Sequence, residues 1–108
     1  GSDGDGVRVG IIDSGVDYNH PALGGCFGGS CKIGWGYDFV GDEYTGFNEP
    51  VPKETPLDTC HGHGTHVAGI IAGDSHNFTG IVPRARLGIY RVIGCKNVAS
   101  VNVFVAAM

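Results

Sequence analysis

The stretch "HGTHVAGIIAG" occupies residues 63–73. His66, Val67, Ile70 and Ile71 recur at the spacing of one helical face, and Gly73 supplies a stop, so the segment predicts a helix. Upstream, "VRVGIID" (Val7–Asp13) is a nearly continuous apolar run that ends in an acid and reads as a buried strand of a parallel sheet. Downstream, Leu87–Ile93 within "PRARLGIYRVIG" reads as a second such strand. Strand, helix and strand with links of workable length predict an α/β domain. "KIGWGYDFV" adds a strand with Ile33, Trp35, Tyr37 and Phe39 on one side, Trp35 being a core or half-buried residue. "SVNVFVAAM" at the end is apolar and fits helix or strand equally.

The remaining segments are turn-rich. "GDEYTGFNEPVPKETPLDT" reads as a surface loop, with Asp42 and Glu43 a solvated acidic turn rather than a calcium site. Asp3-Gly4-Asp5-Gly6 lacks the spacing of a calcium loop and reads as a flexible lead-in. Gly1-Ser2 reads as a remnant of cloning, and an export signal is expected to have been removed or left out.

A length of 108 residues allows one small domain. An apolar content of 42% is ordinary for a globular chain, and a net charge of −4 argues against nucleic acid and anionic membrane surfaces as partners. No apolar run approaches the ~20 residues of a membrane-spanning helix. The four cysteines are an even set, and "CFGGSC" can bend to join Cys26 to Cys31. "NFT" makes Asn77 a glycosylation acceptor in a secretory compartment. Together these features point to a secreted, extracellular protein.

Two clusters carry chemistry. Asp13 closes an apolar strand at the end where functional groups of parallel sheets collect, and it reads equally as a cleft carboxylate or a turn-forming residue. Cys60, His61, His63 and His66 crowd one segment. All four are good zinc ligands, yet no Cys-x-x-Cys or carboxylate partner completes a known spacing. The competing reading makes His63 a general base, flanked by Gly62 and Gly64 so that backbone or substrate can approach the ring, with Asp13 as the carboxylate that orients it.

"VGIIDSGVDYNHPAL" and "HGHGTHVAGIIAG" resemble the aspartate and histidine motifs of the subtilisin-like serine peptidases, in that family's order of Asp, His and Ser. "TGIVPRARLGIYRVIGC" resembles the segment that follows, with Gly80-Ile81-Val82-Pro83 departing slightly from the family pattern. The resemblance is strongest to large secreted enzymes of fungal or bacterial type. It implies a partial parallel-sheet domain, a truncated three-layer α/β/α sandwich spanning residues 1–108. It implies Asp13 as catalytic acid, His63 as general base, and Ile93, Gly94 and Cys95 as lining of the substrate groove. It implies no metal or cofactor, and a peptide or protein as substrate. It also places Cys60 and Cys95 beside one pocket, so that they form the second disulfide. The family's oxyanion-hole Asn and nucleophilic Ser motif find no match here, Ser14 being a support for the acid. A chain of this kind is expected to be inactive alone, to bind peptides at most, or to need a companion fragment or a second copy.

Overall fold

The computed structural model describes residues 3–108, and Gly1-Ser2, read above as a cloning remnant, lies outside the described residues. The chain runs β1 (Arg8–Asp13), a 3₁₀ turn (Pro21–Leu23), β2 (Ile33–Asp38), α1 (His63–Ala72), β3 (Arg86–Arg91) and α2 (Val101–Ala107). The strands form a parallel sheet in the order β1-β3-β2, with β3 central. This is the partial α/β fold that the strand–helix–strand pattern predicts.

The register explains where the core sits. Val9 pairs with Leu87 and Ile11 with Ile89, while Ile33 faces Leu87 from the other side. Alternate residues share a face, so this face carries Ile11, Ile33, Leu87 and Ile89, on which Ala68 and Ala72 of α1 pack. Small residues on α1 let the helix approach the sheet, and both alanines are fully buried. The same alternation puts Asp13, Arg91 and Asp38 side by side at the C-terminal rim of that face, since Asp13 and Asp38 both pair with Arg91. Apolar rows thus end in a charged row.

Four sequence expectations change. Ile33, Trp35, Tyr37 and Phe39 do not share one side, because β2 slips register between Ile33 and Trp35. Such a bulge moves every later side chain to the other face. Ile33 enters the core with Leu87, whereas Trp35 lies across Gly88, where an added Cβ would meet its indole. Trp35 is half-buried there, with the guanidinium groups of Arg8 and Arg86 near its ring. Second, β3 ends at Arg91 rather than Ile93, because the chain then turns to the Gly41–Asp42 loop, where Cys95 N–H donates to Asp42 O at 2.9 Å. Third, Asp3–Gly6 is a packed turn and not a loose lead-in. Gly4 is buried against Val82 and Ala85, and Arg84 pairs with Asp3 and Asp5. Fourth, Asp42 is not merely solvated, since it pairs with Arg91.

The ambiguous last segment is helical. The Ser100 hydroxyl accepts from the N–H of Val103, satisfying a free donor of the first turn. This helix buries none of its residues.

Candidate active site

Asp13 stands at the end of β1, with its side chain only 13% exposed. The N–H of Ser14 donates to its Oδ1 at 2.6 Å. His63 opens α1, and its Nδ1 lies 2.8 Å from Asp13 Oδ1 and 2.9 Å from Oδ2. A carboxylate on Nδ1 fixes that nitrogen as the donor and leaves Nε2 as the basic nitrogen. The ring is 63% exposed, so Nε2 chemistry is open to a reactant.

These groups are fifty residues apart, and local sterics join them. The N–H of Gly64 donates to the buried Ser14 hydroxyl at 2.9 Å, and the N–H of Asp17 donates to Thr65 Oγ1 at 2.8 Å. A Cβ on Gly64 would sit 2.0 Å from Gly15 O, so only glycine allows the first turn of α1 against the loop after β1. Ser14 is therefore occupied as a support.

Beneath His63 lies a turn organised by Asp58, which is 1% exposed. Its Oδ1 accepts from the N–H groups of Cys60 and His61, both at 3.0 Å, and its Oδ2 from Gly62 at 2.8 Å. Burial alone pushes this carboxyl up, but the N–H donors of Gly62, Cys60 and His61 and the nearby Arg91 outweigh it and hold its pKa below the ordinary carboxylate range. Gly62, at φ 91°, takes the left-handed conformation that turns the chain into α1.

Arg91 is the hub of the rim and is fully buried. Its Nη1 reaches Asp38 at 3.0 Å and Asp42 at 2.7 Å, its Nη2 lies 3.5 Å from Asp58, and its Nε donates to Ser14 O at 3.0 Å and Ile93 O at 3.1 Å. Burial pulls its pKa down, yet the Asp42 and Asp38 carboxylates more than compensate, so it lies above its usual value. Three carboxylates around one guanidinium make burial of this charge tolerable. No motif in the sequence assigns Arg91, Asp38 or Asp58 a role. For Arg91 and Asp38 the available signal was a charged residue closing an apolar strand; Asp58, in the loop before α1, had none.

Cys26 is bonded to Cys31 and Cys60 to Cys95. The second bond ties the turn before His63 to the segment after β3. Gly94 is buried there, where a Cβ would meet Gly41 O at 2.5 Å; Ile93 and Cys95 are half-buried. The candidate zinc ligands are drawn apart: Cys60 is in its disulfide, His61 Nε2 lies 2.7 Å from Asn97 Oδ1, His63 is on Asp13, and His66 lines a cleft with His20. Among the described residues, the acid and sulfur groups that do converge are Asp42, Cys60 and Cys95, whose sulfurs are bonded to each other. Asn77 is exposed on the loop after α1.

The subtilase family profile matches residues 4–106. The chain belongs to the subtilase family. This subtilase chain is 46% identical over 98 residues to the minor extracellular protease Vpr of Bacillus subtilis, covering 87% of the chain and 11% of that protein. It superposes on the nisin leader peptidase NisP of Lactococcus lactis with a TM-score of 0.69 at 33% identity, covering 93% of the chain and 27% of NisP. A cold-adapted subtilisin-like serine proteinase gives a TM-score of 0.71 at 31% identity, with 98% and 32% covered. The chain thus spans a third or less of each relative's length.

Proposed function

We propose that this subtilase segment supplies the acid and the base of a secreted serine endopeptidase. The observation that carries the reading is the double contact of His63 Nδ1 with the Asp13 carboxylate, at 2.8 and 2.9 Å. Asp13 holds the imidazole in the tautomer with Nε2 free. His63 then takes the proton of a serine hydroxyl as it attacks a peptide carbonyl and returns it to the leaving amine, through an acyl-enzyme. Asp13 stabilises the imidazolium in between. The nucleophile and the oxyanion donor come from sequence outside these residues, so the segment by itself is inactive. A peptide or protein substrate lies along Ile93, Gly94 and Cys95, whose backbone the Cys60–Cys95 bond keeps beside the turn before His63. The two disulfides and the exposed Asn77 sequon support a secreted protein, as does the similarity to an extracellular protease.

The test compares His63→Ala and Asp13→Asn in the longer protein containing this stretch. Removal of the base from a subtilisin triad costs on the order of 10⁶ in turnover, and loss of the acid about 10⁴. We expect losses of that order and rank on casein, with no fluorophosphonate labelling of the isolated chain. Unchanged turnover in His63→Ala, or labelling of the isolated chain on a serine, refutes the reading.

A further inference from the structure

We propose that Asp58 and Arg91 are positioning residues for the Asp13–His63 pair, an inference that rests on the proton-transfer reading above. Arg91 Nε holds the carbonyl of Ser14, the residue after the acid, at 3.0 Å. The residue that follows β3 also grips the acid's strand, since Val92 N–H donates to Asp13 O at 2.8 Å. On the other side, Nη2 of the same guanidinium lies 3.5 Å from Asp58 Oδ1. Asp58 in turn gathers the N–H groups of Cys60, His61 and Gly62, and Gly62 O accepts from His66 N–H at 3.0 Å to start α1. The path from acid to base therefore runs through one rigid fork and one carboxylate, both buried.

The geometry matters because a proton relay tolerates little misplacement. The imidazole is largely exposed. Its orientation depends on the backbone of residues 61–63, which Asp58 sets. Guanidinium has the planar fork needed to serve Ser14, Ile93 and three carboxylates together, and an ammonium group lacks it. Ser14 and Gly64 form a separate tie between the same segments, so loss of the Asp58 link is expected to misalign the pair without unfolding the chain.

The tautomer of His63 reports this directly. Long-range ¹H–¹⁵N spectra of the histidine rings distinguish Nδ1–H from Nε2–H, and a free neutral imidazole favours Nε2–H. We expect His63 of the unaltered chain to be chiefly Nδ1–H, and Asp58→Asn and Arg91→Lys to lower that fraction at least twofold. The double variant Cys26→Ser/Cys31→Ser, remote from the pair, should lower the melting temperature and leave the tautomer unchanged. Retention of Nδ1–H in folded Asp58→Asn overturns the proposal. So does failure of both variants to fold, which assigns the two residues a structural role only. An unaltered chain already in the Nε2–H form overturns the acid–base reading itself, before any variant is made.

Discussion

Gly64 and Gly69 lie in the same helix and have opposite consequences. A Cβ at Gly64 meets Gly15 O at 2.0 Å, and neither backbone can yield cheaply, whereas a Cβ at Gly69 meets nothing within 4 Å. Gly64→Ala should destabilise by about 1–3 kcal/mol through overpacking. Gly69→Ala should stabilise by roughly 0.5–1 kcal/mol, because alanine loses less backbone freedom on helix formation. Chemical denaturation of the two variants gives the signs, and equal effects would contradict this account. Asp58 adds a pH signature. Its folded pKa is depressed, so its contribution is fully present above the unfolded carboxylate value of about 3.9 and is lost as pH falls through the folded value. The stability difference between the unaltered chain and Asp58→Asn should therefore be constant near neutrality and shrink below about pH 4. Urea titrations at stepped pH values measure it, and a gap undiminished between neutrality and pH 2 argues against a depressed pKa.

At the scale of elements, two disulfides close loops of very different length, with separations of 5 and 35 residues. Loop-closure entropy assigns about 2 kcal/mol to the short bridge and about 4 kcal/mol to the long one. Replacing Cys60 and Cys95 by serine should thus lower the melting temperature more than replacing Cys26 and Cys31. Calorimetry of the two double variants checks the order, and the reverse order would show that the turn before His63 is held chiefly by Asp58 and Arg91. The elements themselves were readable where periodicity is local. The helix over residues 63–72 and its stop at Gly73 followed from spacing, and β1 begins one residue later than expected and ends at the same Asp13. The β2 bulge was not readable, because "KIGWGYDF" alternates cleanly and only pairing with β3 reveals the slip.

For the whole molecule, α2 sets the expectation. Val101 is 78% exposed, Val105 61% and Met108 84%. The cleft beside the helix is lined by Phe39, Pro50, Pro52, Val103 and Ala106 together with the polar Glu49 and Asn102, so further, mostly apolar surface lies there. Contiguous apolar exposure of this kind favours association. We expect the chain to self-associate in a concentration-dependent way, and Val101→Lys with Val105→Glu to shift it toward monomer. Multi-angle light scattering showing a monomer at high concentration would refute this. Among the described residues, no helix is long and apolar enough to cross a membrane.

The sequence by itself determined the α/β class, the ends of α1 and the two motif segments, because each rests on residues close together in the chain. It left Asp13 open between a turn former and a cleft acid; the framing of His63 by glycines offered Asp13 as its partner, and the family resemblance gave the two their catalytic roles. Tertiary structure decided the rest. The contact between Asp13 and His63 depends on Gly64 fitting under Gly15 and on register across the sheet. The convergence of Asp38, Asp42 and Asp58 on Arg91 joins residues far apart in the chain, and the charges that close β2 and β3 do not by themselves say which groups will meet. A buried charge chooses its partners through the cost of desolvation, and that cost exists only once the chain has folded around it.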